Sequence, residues 1–292
     1  MSARRPTTLE RLGRLLARQA TVSRRELAPG VFELRLHTRT TRWMGFPVST
    51  YLVDELLLDT GFAHGGPALL DALEGVLLRG IALTHHHEDH AGNATAIASR
   101  HGCPVYLREP TLRGTEGLDR LPPYRQVFYG EPPAYSPLSM PIELHTGGRT
   151  LRCVATSGHS GTHTVFYEPD DGLLFSGDLH VSRGASAVMR HESPHALARS
   201  LRAAASLGPR RMLTGHGGDL DGPVGLLETK AQRIETAIER VLALHDQGAS
   251  PRAIRREVFP SARKTDPGMA LLTQGEFSQT NFVRAVIAHR PH

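Results

Sequence analysis

Three histidines and an aspartate, His85, His87, His90 and Asp89, stand close together in the run Thr84-His85-His86-His87-Glu88-Asp89-His90. Neutral imidazole and carboxylate are the donors that hold a zinc ion while leaving it reactive. The run directly follows Ile81-Ala82-Leu83, a short apolar strand. Residues two apart in extended chain point the same way, so His85 and His87 can face one ion. Asp89 and His90 lie further on and are offset, so they can face a second. Neither ion is complete with these donors alone. Candidates for the remainder stand in matching places: His159 in Gly158-His159-Ser160-Gly161, Asp178 in Ser176-Gly177-Asp178, and His216 in Thr214-Gly215-His216-Gly217. Each follows a predicted strand and sits beside glycine or in a tight turn. In layered α/β folds, strand ends are where ligands bind.

The elements that must position these groups are legible as periodic runs. Val31 to Leu36 alternates as a half-buried strand, and Val48–Val53 and Leu56–Asp59 read as two strands joined at Asp54-Glu55. Pro67 to Leu78 has Leu69, Leu70, Leu73, Val76 and Leu77 at helical spacing, which predicts one buried face, with Gly80 as its stop. Ala94 to Arg100 is a helix stopped by Gly102, and Val105 to Leu107 a strand. Strands are further predicted at Thr150–Ala155, His163–Tyr167, Leu173–Phe175 and Arg211–Leu213, and a helix at Pro194–Leu207. This alternation implies a layered α/β core. Glu109 to Pro141 breaks the pattern with clustered prolines and the aromatics Tyr124, Phe128, Tyr129 and Tyr135, so it reads as a long ordered insertion. Leu226–Leu244, Pro251–Val258 and Asn281–Ala288 are helical. The expected organisation is a basic amphipathic helix over 1–24, a catalytic domain over 25–222, and a helical extension over 223–292.

The order Leu58-Asp59-Thr60-Gly61, the His85 to His90 run, Gly158-His159, Gly177-Asp178 and Gly215-His216 resembles the metallo-β-lactamase superfamily. The resemblance spans roughly Gly30 to Gly218. It implies an αββα sandwich: two mixed sheets faced by helices. It implies that His85, His87 and His159 bind a first zinc, that Asp89, His90 and His216 bind a second, and that Asp178 bridges both. Asp59 would stand behind the ligands and orient one of them. The implied activity is hydrolysis by a water held between two ions, with Asp89 orienting the nucleophile and taking up its proton. An ester, thioester or lactone is the expected substrate. Gly158-His159-Ser160-Gly161-Thr162-His163 resembles the Gly-His-Thr-Pro-Gly-His segment of the thioesterase branch, although Gly161 and Thr162 depart from it. The helical tail is similar to the winged-helix-like tail of the endoribonuclease branch. RNA or phosphodiester cleavage is therefore the alternative, ranked second. Iron-dependent oxygenation of the persulfide dioxygenase type is another, disfavoured because the second donor set is complete.

Other residues read as structural. His86 is expected to point away from the metals, and His64, His101, His191 and His195 have no partner pattern. His163 and His180 lie near ligands and are open to a supporting or a packing role. Tyr124, Tyr129 and Tyr135 are expected mainly to pack the insertion. Cys103 and Cys153 form no CxxC pattern and read as buried free thiols, which suits a reducing cytoplasm. The formal net charge is +5, yet all but two of the 34 basic residues are arginine, scattered along the chain, which argues for a solvated surface rather than a nucleic-acid stripe. The basic start, with Leu9, Leu12, Leu15 and Leu16 among arginines, is not an export signal, and no apolar run reaches bilayer length. A small-molecule substrate and a cytoplasmic location without membrane attachment are expected. The tail is free to cap its own site or to pack against a second subunit as a dimer.

Overall fold

The computed structural model describes residues 15, 20–43, 45–109, 111, 121–181, 188–260, 273 and 275–290. Most of the basic N-terminal helix expected over 1–24 lies outside them. Two sheets stand at the centre. The first has seven strands in sequence order: β1 (Thr21–Ala28), β2 (Val31–His37), β3 (Val48–Val53), β4 (Leu56–Leu58), β5 (Gly80–Ala82), β6 (Val105–Leu107) and β7 (Leu138–Ser139). It is antiparallel through β4 and parallel from β4 onward. The second has six strands: β8 (Glu143–Thr146), β9 (Arg149–Ala155), β10 (Thr164–Glu168), β11 (Leu173–Gly177), β12 (Arg211–Thr214) and β13 (Asp219–Asp221). Only β11 and β12 pair in parallel there.

Three apolar layers explain the stacking. Tyr51, Val53, Leu58 and Ala82 of the first sheet meet Leu151, Phe166, Phe175 and Leu213 of the second. The outer face of the first sheet packs on α2 (Gly66–Ala72) and α4 (Ala94–His101) through Leu57, Leu69, Ile81 and Ile97. The outer face of the second packs on α6 (Pro194–Ser206), α7 (Pro223–Asp246), α8 (Pro251–Val258) and α9 (Gln279–Ala288) through Val165, Leu174, Met212, Leu201, Ile234, Ile254 and Val283. The result is the αββα order. Among the described residues, the tail helices share this core with the second sheet and enclose none of their own. The remaining helices among the described residues are α1 (Arg39–Trp43), α3 (Glu88–Ala91) and α5 (Pro123–Phe128).

Several elements differ from the sequence reading. The helix expected over 67–78 ends at Ala72, because Gly75 turns left-handed at φ 73° and the chain runs on irregularly into β5. Leu77, expected on the buried face, is exposed, and Gly80 opens a strand instead of closing a helix. The strands at 21–28, 143–146 and 219–221 are additional; β1 lies within the span assigned to the N-terminal helix at residues 21–24. The insertion carries α5 and β7 among its described residues. The cysteines are free but only half-buried.

The outer layer hides one charge. Lys230 of α7 is buried, and its Nζ donates to the Leu179 carbonyl at 3.3 Å. Burial pulls its pKa from 10.5 down to about 8. The unfolded chain therefore binds the proton more tightly, and stability rises with pH between about 8 and 10.5. At about 1.4 kcal/mol per pKa unit, the charge costs roughly 3 kcal/mol at neutral pH. Lys230→Met is expected to raise unfolding free energy at pH 7 by about 1–3 kcal/mol, the gain fading above the unfolded lysine's pKa. Urea unfolding at both pH values checks this, and equal stability at pH 7 counts against it.

Candidate metal centre

The donors gather at one rim of the sandwich because five strand exits meet there. Asp59 follows β4, the His85 to His90 run follows β5, His159 lies between β9 and β10, Asp178 follows β11, and His216 follows β12. Backbone bonds tie these exits together: Thr164 N to Thr84 O at 2.8 Å crosses between the sheets, Gly215 N reaches Gly177 O at 2.9 Å, and Ser49 N reaches Gly215 O at 2.8 Å.

The structure brings every predicted ligand into one cluster. His85, His87 and His159 form one trio of converging donors, and Asp89, His90 and His216 another; within each, the atoms lie within 4.8 Å of one another. Asp178 stands between the trios. Its Oδ1 is 3.3 Å from His90 Nε2 and 3.3 Å from His216 Nε2, and its Oδ2 is 3.5 Å from His159 Nε2. All of these side chains are buried or nearly so.

The rear hydrogen bonds fix the histidine tautomers. Glu192 Oε1 faces His159 Nδ1 at 2.5 Å, Asp59 Oδ2 faces His90 Nδ1 at 2.8 Å, and the Pro47 carbonyl faces His216 Nδ1 at 2.9 Å. Each partner only accepts, so each Nδ1 carries a proton and each ring turns its Nε2 toward Asp178, with His216 Nε2 in hydrogen-bond geometry to Oδ2 at 3.3 Å. His90 Nε2 and Asp178 Oδ1 face one another without hydrogen-bond geometry. His85 Nε2 and His159 Nε2 each lie 3.0 Å from His87 Nδ1. Buried ring nitrogens and carboxylate oxygens this close need a cation among them, a proton or a metal. Their spacing is close to the roughly 3.3 Å that separates tetrahedral donors at zinc–nitrogen distance. The donor set thus fits metal ions.

Electrostatics carry the same signature. Burial holds His85 and His87 well below the ordinary imidazole range, as do the neighbouring histidines. Burial also opposes charge on His90 and His216, but the carboxylate of Asp178 facing both lifts them above it. Burial alone would raise the Asp178 carboxyl; His216 and His90 hold it well below its usual range.

Asp59 adopts φ 60°, a left-handed conformation that a short polar side chain tolerates, and accepts from Thr84 N at 2.7 Å and Thr84 Oγ1 at 2.8 Å as well as facing His90. Thr84 Oγ1 also lies 3.0 Å from His85 Nδ1. His163, open to either role in the sequence, accepts from Asp178 N through Nε2 at 3.1 Å and so fixes that ligand's backbone. His86 turns to Thr162 Oγ1 at 3.0 Å, away from the donor trios. His191 carried no partner pattern, yet its ring stands 5.6 Å from that of His87. Tyr129 packs on Phe62, and Tyr124 donates to Glu276. Phe46 stacks on His216 with ring centroids 3.9 Å apart.

Sequence reasoning missed Glu192, which also accepts from Met189 N at 3.0 Å. Its distance from His159 along the chain left no motif to find it by. Glu192→Gln keeps the shape but removes the anion behind His159. It is expected to weaken metal retention by roughly 10–100-fold. Competition with a chromophoric chelator reads this directly, and wild-type affinity would leave Glu192 without that role.

Comparison with known proteins agrees with the geometry. The family model of the metallo-beta-lactamase superfamily matches residues 43–216. The chain is 29% identical over 191 residues to a beta-lactamase-like protein 2 homolog of Drosophila melanogaster, covering 62% of this chain and 62% of that one. It is 30% identical over 174 residues to a hydroxyacylglutathione hydrolase of Rhodobacter capsulatus, covering 59% and 61%. The chain thus spans about three fifths of the length of these two relatives. A metallo-beta-lactamase family protein from Thermus thermophilus shares the fold at a TM-score of 0.64 and 22% identity, over 90% of this chain and 93% of that one. The chain belongs to the metallo-beta-lactamase superfamily.

Proposed function

We propose that this protein is a metal-dependent hydrolase that holds two zinc ions per chain and cleaves an ester, thioester or lactone. The observation that carries the reading is the set of ring nitrogens, oriented by Glu192, Asp59 and Pro47, that converge on Asp178 between two donor trios. Two ions there would supply Lewis acidity and lower the pKa of a water toward neutrality. His85, His87 and His159 would hold one, Asp89, His90 and His216 the other, and Asp178 both.

The chain's own residues do the rest. Asp89 Oδ2, 3.8 Å from His216 Nε2, is placed to orient the attacking water and accept its proton. Asp89→Asn is expected to cut turnover by roughly 10²-fold; a variant with both metals and full turnover removes that role. No thiol is primed as a nucleophile among the described residues: burial raises Cys103 and pushes Cys153 up to about 12. Similarity to a hydroxyacylglutathione hydrolase supports an acyl substrate above a phosphodiester.

The test is the zinc-loaded chain against acyl thioesters, lactones, β-lactams, phosphodiesters and short RNAs, with elemental analysis of the purified protein. Turnover of the acyl compounds with two zinc per chain is expected. Exclusive turnover of phosphodiesters or RNA refutes the ranking, and a single iron per chain refutes the hydrolase.

A further inference from the structure

The C-terminal tail returns to the metal centre by two separate routes. On the first, Glu276 accepts from Arg125 Nη1 at 2.9 Å through one oxygen and from the Tyr124 hydroxyl through the other. Arg125 belongs to α5 of the insertion, and its guanidinium makes a two-point pair with Glu88, with Nη2 to Oε2 at 2.9 Å. Glu88 lies in the short helix α3 that also carries Asp89 and His90. The side chains of Glu88, Arg125 and Glu276 are only 1%, 6% and 12% exposed. A buried carboxylate needs its counter-charge, and a fork of parallel bonds fixes orientation as well as charge. The tail thereby grips α3 through the insertion.

On the second route, Ser278 pairs with Val188 in an antiparallel bridge, Ser278 N to Val188 O at 3.2 Å and Val188 N to Ser278 O at 3.4 Å. Asn281 adds Nδ2 to Val188 O at 3.3 Å, and bonds its own turn at Gly275 O and Glu276 O. The next residue, Met189, donates its N–H to Glu192 at 3.0 Å, and Glu192 holds His159. Val188 to Ser193 has no regular element before α6 begins, so this bridge at one end and the Ser193 N to Gly158 O bond at 3.2 Å at the other hold it in place. The sulfur of Met189 also lies 3.7 Å from Arg125 Nη1, where the two routes touch.

We infer that the segment from Glu276 to Asn281 is a positioning element for both halves of the metal centre. It acts through Arg125 and Glu88 on the Asp89, His90 and His216 half. It acts through Val188 and Glu192 on the His85, His87 and His159 half. The inference rests on the two-metal reading of the site but not on which bond is hydrolysed. The tail is then a working part of the centre.

The test uses the full chain, stripped of metal and titrated with cobalt(II), whose absorption bands report coordination, and with zinc by calorimetry. His159→Ala and His216→Ala, each lacking one donor of one half, assign the two equivalents. Asn281→Ala is expected to weaken the equivalent at the His159 half by roughly 10–100-fold and to spare the other. Glu276→Ala is expected to weaken the equivalent at the His216 half by a similar factor. Arg125→Lys keeps the charge but loses the fork, and should fall between Glu276→Ala and wild type. Circular dichroism of the metal-free variants separates misfolding from repositioning; if Glu276→Ala does not fold, Glu276→Gln, which keeps the shape but loses the charge and one acceptor, takes its place. Wild-type affinity for both equivalents in folded Asn281→Ala and Glu276→Ala overturns the inference, as does equal weakening of both by each variant. Selective loss of affinity in a protein that turns over no member of the substrate panel would uphold this inference while the hydrolase reading fails.

Discussion

Asp178→Asn is expected to abolish turnover and to remove the stabilisation that metal gives the parent. Both effects have one cause. The carboxylate lies 3.3 Å from His90 Nε2 and His216 Nε2 and 3.5 Å from His159 Nε2, so it is the donor shared by both trios. Asparagine keeps the volume and one acceptor but loses the anion that two ions would need and that His90 and His216 face in the metal-free centre. Metal retention is expected to fall at both halves, and kcat/KM to drop by roughly 10³-fold or more. Calorimetry with and without zinc checks the pairing of effects: the parent's thermal midpoint should climb with metal, and the variant's should not. Proton competition adds a second readout. His90, His159 and His216 are held above their ordinary pKa in the metal-free centre, against the effect of burial, by the facing carboxylates. Metal must displace those protons, so affinity in the parent rises as pH increases through and above the ordinary imidazole value of 6.5. Asp178→Asn removes the main source of the raised values at His90 and His216, while His159 keeps Glu192, and so should flatten that slope. A variant with parental metal content and turnover would remove Asp178 from the centre.

The donor cluster was legible in the sequence because the His85 to His90 run directly follows a strand and His159, Asp178 and His216 each stand at a strand exit beside glycine. That pairing is local: an apolar run ends, the chain turns, and a polar donor follows. The groups that hold the ligands from behind left a fainter trace. Asp59 was legible only through Leu58-Asp59-Thr60-Gly61, a strand and turn in the expected order. Glu192 lies in an irregular stretch and meets His159 only after α6 has docked. The joining of Arg125, Glu88 and Glu276 is set by three chain segments far apart in sequence, so no spacing could announce it.

Edges of the sheets were missed for a different reason. β1 lies at one end of its sheet, and Ser23, Arg24, Arg25 and Glu26 are all exposed, so the apolar alternation that reveals a strand is absent. β13, with the sequence Asp-Leu-Asp, is an edge of the other sheet and too short for a period. The helix over-read to Leu78 shows the converse error. Its leucines keep helical spacing, yet a left-handed glycine at 75 ends the rotation, and Leu78 is buried from irregular chain instead. The layered class and the rim of donors survive these errors because the central strands, buried on both faces, carry the strongest signal.

Gly158→Ala is the backbone change expected to do the most harm, and it connects packing to chemistry. A methyl group at 158 would lie 2.2 Å from Leu197 Cα and 2.6 Å from Leu197 N. These are backbone atoms in the first turns of α6, so no rotamer change can relieve the clash. Relief requires the His159 turn and the helix to separate by roughly 1 Å. The same close approach lets Ser193 N donate to Gly158 O at 3.2 Å and sets Ser193 as the cap of α6, its side chain accepting from Ala196 N. Glu192, one residue earlier, is thereby brought to His159. Moving the helix outward also opens the apolar contact of Leu197 and Leu201 with the second sheet. The expected cost is about 1–3 kcal/mol of overpacking, with further loss of metal at the His85, His87 and His159 half. Gly148→Ala is the control, since a methyl group there meets nothing within 4 Å. Thermal unfolding and metal content of the two variants, measured side by side, decide the matter. If Gly158→Ala melts with Gly148→Ala and keeps its metal, the close approach of the His159 turn to α6 does not position the ligand.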